Sequence, residues 1–115
     1  NPFLLTEPKE IEDFFKSFKN YKEHLGLLLD TGHLKVSSKT LGFDLQDAHK
    51  RIKKYVKGYH LSDNNGKRDN NKEFTPTSWF WKNMNFNANF YTIEVYNCSI
   101  NKYKKLVKIV EKKIY

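Results

Sequence analysis

The sequence predicts an α/β fold in which parallel strands carry helices on the outside, forming part of a (β/α)8 barrel. Three observations lead there. Helical and strand-like segments alternate along the chain, which makes βαβ units and a parallel sheet. The run Leu25-Gly26-Leu27-Leu28-Leu29 is continuously apolar, as in a strand covered on both faces. Only three such strands fit in the 115 residues, whereas a closed barrel takes about 250. Residues 1–115 are therefore expected to form a single domain that is an incomplete TIM barrel, and the abrupt start at Asn1-Pro2 reads as though a strand lay immediately upstream.

Each element has its own signal. From Thr6 to Glu23, Ile11, Phe14, Phe15 and Phe18 recur at helical spacing, with Thr6 placed to cap and Pro8 in the first turn. The apolar run to Leu29 then meets Asp30. Asp44 is placed to cap a helix bearing Leu45, Ala48, Ile52, Tyr55 and Val56 on one side, and Gly58 reads as its stop signal. Tyr59-His60-Leu61 is a second short strand. Ser62 to Lys72 is polar and rich in turn formers, which predicts a long surface loop of the kind that often carries function. Thr75 to Met84, with Trp79, Phe80 and Trp81, suits a short helix or an aromatic lid. Phe90 to Tyr96 is a β-rich strand containing Glu94, followed by a last helix with Ile100, Tyr103, Val107, Val110 and Ile114 on one side.

Composition narrows the function classes. With 38% hydrophobic and 16% aromatic residues, disorder is disfavoured. No apolar run approaches the roughly 20 residues of a membrane helix. The single cysteine, Cys98, can form neither an internal disulfide nor a cysteine-based zinc site, so a cytoplasmic setting is expected. A net charge of +8 admits sugar phosphates, nucleic acid or an acidic surface as partners. The lysines are interleaved with apolar helix positions, a spacing that usually marks a solvated helix face. Glu23, His24 and His49 are also read as helix surface.

The chemistry is expected at the strand ends. Asp30, His60 and Glu94 each lie at or near the C-terminal end of a predicted strand, and parallel strands aim those ends at one side of the sheet. One histidine with carboxylates is an oxygen-rich ligand set suited to Mn²⁺ or Mg²⁺, with Zn²⁺ or Co²⁺ admissible. Singly, each has a structural reading: an acid after a strand often caps a helix, and a lone strand histidine usually belongs to the core or the surface.

The local words Leu29-Asp30-Thr31-Gly32-His33, then His60-Leu61-Ser62-Asp63-Asn64 with Gly66 and Asp69, then Ile93-Glu94-Val95, resemble in order and spacing the sugar phosphate isomerase/epimerase family with its xylose-isomerase-like barrel. Endonuclease IV is a more distant relative of that family. The resemblance covers nearly the whole chain, and implies barrel strands six to eight with helices five to eight. It implies Asp30, His60 and Glu94 as ligands of a divalent metal, Glu94 also as the catalytic group handling a substrate proton, and His33 as a contact to a sugar hydroxyl. Such an enzyme isomerises or epimerises a ketose or aldose through an enediolate, because the chelated cation acidifies the C–H beside the carbonyl. Arg68, with Lys67, would hold a substrate phosphate.

Two departures from the family stand out. Its Asp-x-His word after strand seven reads Asp69-Asn70-Asn71 here, and its first metal-binding Glu, on strand five, would fall before Asn1. The chain alone is thus expected to be inactive. Two other readings come from different classes. One is an endonuclease IV-like nucleic-acid enzyme, with Trp79 and Trp81 stacking bases, although nucleic acid is the less favoured partner. The other is a non-catalytic half-barrel that pairs with a missing N-terminal half or with itself, since three strands leave two edges uncovered.

Overall fold

The computed structural model describes residues 6–115, so the expectation attached to Asn1-Pro2 lies outside the described residues. The fold is mixed α/β, built on an open sheet of three parallel strands. β1 (Leu27–Asp30), β2 (Val56–Leu61) and β3 (Phe90–Ile93) lie in that order, with β2 central. Leu28, Leu29 and Asp30 pair with Gly58, Tyr59 and His60, which pair in turn with Phe90, Tyr91 and Thr92. Asp30, His60 and Thr92 therefore form one row across the sheet.

The helices are α1 (Pro8–Ser17), α2 (Thr31–Leu41), α3 (Leu45–Ile52) and α4 (Ile100–Ile114). Sequence reasoning extends α1 to Glu23, but it stops at Ser17, whose Oγ donates to the Asp13 carbonyl, and a 3-10 turn follows at Lys19–Tyr21. Its N-cap is Glu7, not Thr6. α2 has no counterpart in the sequence reading. Asp30 caps it by accepting the His33 N–H at 2.9 Å, and Gly42 ends it at φ 76°, a left-handed conformation natural to glycine.

α3 ends at Ile52, earlier than expected. A 3-10 turn, Lys53–Tyr55, leads directly into β2, so Gly58 is a strand residue and not a helix stop. A Cβ at Gly58 would lie 2.2 Å from the ring of Phe90, its cross-strand partner. The glycine is there so that the ring can lie over it. In α4 the buried side is Leu106, flanked by half-buried Tyr103, Ile109, Val110 and Ile114, whereas Ile100 is 74% exposed and Val107 is also exposed.

The core lies on one side of the sheet. Leu29, Tyr59 and Leu61 point into it and meet Ile11, Leu34, Ala48, Ile52, Phe80, Trp81 and Leu106. On the opposite face Leu28 is 49% and Phe90 48% exposed, so the apolar run at Leu25–Leu29 is covered on one face and not two. Trp79–Trp81 forms a 3-10 turn packed into the core: Trp81 is buried, and Trp79 is half-buried against His49. Neither indole is free to stack a base. Among the described residues no helix is long and apolar enough to cross a membrane.

His49 belongs to this core and not to a helix surface. Fully buried, it places Nε2 2.9 Å from the Tyr59 hydroxyl, which also accepts the Asn85 N–H at 3.0 Å. One hydrogen bond thus joins the hydroxyl to Nε2, and Nδ1 is left without a partner. Burial, with Lys53 adding repulsion, pushes the imidazole down from 6.5 to about 4. Between those pH values the unfolded chain binds a proton that the folded chain refuses. Stability conferred by neutral His49 is therefore complete above pH 6.5 and falls by about 3 kcal/mol as pH drops to 4. Urea unfolding of wild type and His49→Gln across about pH 4 to 7 checks this; parallel pH dependences in the two proteins would refute it.

Candidate metal centre

The word Asp30-Thr31-Gly32-His33 builds one side of the centre, each residue by a different device. Asp30 divides its carboxylate: Oδ1 caps α2, while Oδ2 lies 3.3 Å from His33 Nδ1 and 4.0 Å from His60 Nδ1. Thr31 is fully buried, and its hydroxyl donates to the Ser62 carbonyl at 2.7 Å and accepts the Ser62 N–H at 3.1 Å, with the His60 carbonyl at 3.2 Å. This ties the end of β1 to the end of β2. At Gly32 an added Cβ would fall 2.5 Å from Asp69 Oδ1 and 2.8 Å from Ser62 Oγ. The absence of a side chain there lets the Asp69 loop close on the helix.

That loop is ordered by its own polar groups. Asp63 and Lys72 pair as an antiparallel bridge, Lys35 Nζ holds Asp63 at 2.8 Å, and Asn64 donates to the Gly32 carbonyl at 3.0 Å. Asp69 is thereby presented to His33, with Oδ2 2.6 Å from Nε2.

The structure brings together the three residues expected to bind metal. One donor atom each from Asp30, His60 and Glu94 lie within 4.8 Å of one another. Glu94 sits just beyond β3 and not within it; its N–H donates to the Leu61 carbonyl at 3.0 Å, and its Oε2 lies 2.7 Å from His60 Nδ1. Asp30, His33 and Asp69 form a second such group, so Asp30 is common to both. His33 faces a carboxylate with each nitrogen. Arg68 is exposed beside Asp69 and has no ion pair among the described residues.

The donor set fits a divalent cation. Donors sharing an ion at about 2.1 Å stand about 3 to 4 Å apart, close to the spacing here. Glu94 Oε2 and Asp69 Oδ1 are buried with no hydrogen-bond partner, and the close approach of Oε2 to His60 makes no hydrogen bond of acceptable angle. A buried carboxylate oxygen without a proton donor is one that a cation can satisfy. Burial raises the Asp69 carboxyl above its ordinary value; His33 opposes this, and the negative charges of Asp30 and Glu94 add to it. A cation would relieve that repulsion.

Sequence reasoning gives no role to Asp69, Asn71 or Tyr96. Asn71 is buried and donates Nδ2–H to the Glu94 carbonyl at 2.9 Å, while the Tyr96 hydroxyl donates to Glu94 Oε1 at 3.1 Å. The available signal for Asp69 is its place in the Asp69-Asn70-Asn71 word; nothing in the sequence marks Tyr96. Compared with models of protein families, with curated proteins and with solved structures, the chain has no significant match in any of the three.

Proposed function

We propose that this chain is the metal-binding C-terminal portion of a (β/α)8 barrel enzyme that isomerises or epimerises a sugar or sugar phosphate by proton transfer. The observation that carries the reading is the meeting of Asp30, His60 and Glu94 donor atoms within 4.8 Å at the ends of three parallel strands. Asp30, His60 and Glu94 would hold the cation, Mn²⁺ or Mg²⁺ by the oxygen-rich set, with Zn²⁺ or Co²⁺ also accommodated. When bound, it supplies Lewis-acid polarisation of a substrate carbonyl. Glu94 would also be the group to move the proton, through Oε1, which the Tyr96 hydroxyl engages and the cation would leave free. His33, held between Asp30 and Asp69, would meet a hydroxyl by releasing one of those carboxylates, and exposed Arg68 would take a phosphate.

The test is calorimetric titration with Mn²⁺, followed by D-fructose and D-ribulose 5-phosphate on the loaded protein. One cation per chain and ketose binding that survives about 0.5 M salt are expected; failure to bind any of the four metals at millimolar concentration would sink the proposal. A second reading is favoured by the adjoining Asp30, His33 and Asp69 group, which offers room for another cation and so for metal-assisted phosphodiester hydrolysis. Two cations per chain, with DNA binding that falls steeply with salt, would select it.

A further inference from the structure

The geometry points to Tyr96 as a positioning residue that fixes the plane in which the Glu94 carboxylate meets the cation, an inference resting on the metal-centre reading above. Tyr96 is 58% exposed, so burial does not hold its ring in place. Both of its ends are nevertheless tied. Its backbone N–H donates to the Asn71 carbonyl at 3.0 Å, and its hydroxyl donates to Glu94 Oε1 at 3.1 Å.

Asn71 completes the clasp. It adopts φ 50°, a left-handed conformation that asparagine tolerates better than most residues, and there its carbonyl takes the Tyr96 N–H while its side chain donates to the Glu94 carbonyl at 2.9 Å. The Glu94 N–H is already committed to the Leu61 carbonyl. The backbone of residue 94 is thus held from both sides, which leaves its side-chain torsions to be set.

The last of these torsions is broad and its two oxygens interchange by a half-turn, so the backbone alone does not decide how the carboxylate plane is turned. The phenol does. By engaging Oε1 it leaves Oε2 as the oxygen 2.7 Å from His60 Nδ1. Glu94 would then offer a cation one oxygen in a fixed orientation, the service that hydrogen bonds to metal-binding carboxylates generally perform. The asparagine at position 71, a departure from the family's histidine, keeps a place in the centre as a brace instead of a ligand.

The test compares wild type, Tyr96→Phe and Asp30→Asn in the 115-residue chain, titrated with Co²⁺ and followed by calorimetry and visible absorption, with thermal unfolding of each metal-free protein alongside. Tyr96→Phe is expected to weaken Co²⁺ binding about 10- to 100-fold, and to alter the absorption envelope as Glu94 rotates towards two-oxygen coordination, with unchanged metal-free Tm. An affinity and spectrum equal to wild type would overturn the assignment and leave the metal centre standing. Absence of binding in wild type would overturn both, and binding retained by Asp30→Asn would locate the ion elsewhere and remove Tyr96 from it.

Discussion

Replacing Asp30 by asparagine is expected to abolish cation binding, by at least about 100-fold, and to leave the fold intact. The two carboxylate oxygens do separate jobs. Oδ1 accepts the His33 N–H and starts α2, a task that asparagine performs as well as aspartate. Oδ2 faces both histidines, and Asp30 is common to both donor groups. With the amide oxygen of the variant held at the cap, its NH₂ group occupies the ligand position, where it has no lone pair to offer. Stability should change by less than about 0.5 kcal/mol. Titration calorimetry and thermal unfolding of the two proteins give both numbers. A variant that still binds would mean that the cation sits away from the shared carboxylate; one that unfolds would mean that the cap accounts for only part of what Asp30 does.

Thr31→Val should do the reverse, damaging the fold first and the centre as a consequence. The substitution keeps the shape of the side chain and removes the hydroxyl. A buried Ser62 N–H at 3.1 Å and a carbonyl at 2.7 Å then lose their partner. Each buried group left unpaired costs about 1–3 kcal/mol, so a total of about 2–6 kcal/mol is expected by urea denaturation. Because the same hydroxyl joins the end of β1 to that of β2, the alignment of Asp30 with His60 should loosen and cation affinity fall with it. Thr31→Ser, which keeps the oxygen, should recover most of both losses. If valine proves neutral, water must replace the hydroxyl and the strand ends are aligned by the ladder alone.

The strand ends are the most legible part of the chain because their chemistry is written locally. A short apolar run followed by an acid, and a histidine in the next strand, need only the parallel arrangement to converge. Glu94 is one step less local, since β3 ends at Ile93 and its position depends on the hydrogen bond to Leu61. α2 is hidden because Val36, Ser37, Ser38 and Thr40 are indifferent helix formers; its start depends on Asp30, whose role as a cap is masked when the acid is read as a ligand. Gly58 misleads because its reason lies in the ring of Phe90, far along the chain. His49 sits at a helical position that periodicity does not mark as apolar, and only the Tyr59 hydroxyl makes its burial tolerable. Asp69 and Tyr96 are long-range in the same sense: a loop closing over a glycine brings in one, and a backbone bond to Asn71 brings in the other.

The ring of Phe90 lying across Gly58 has a bearing on how this protein behaves in concentrated solution. Beside the polar row of Asp30, His60 and Thr92, the row of Leu28, Gly58 and Phe90 would otherwise be a small apolar plate with bare backbone at its middle. With the ring laid along the plate, one side chain shields the central strand's backbone from visitors and turns only its own face outward. A single methyl group at position 58 would force that ring upright, leaving a knob beside a bared strand, so the smallest possible enlargement of this residue is a change in colloidal behaviour more than in folding.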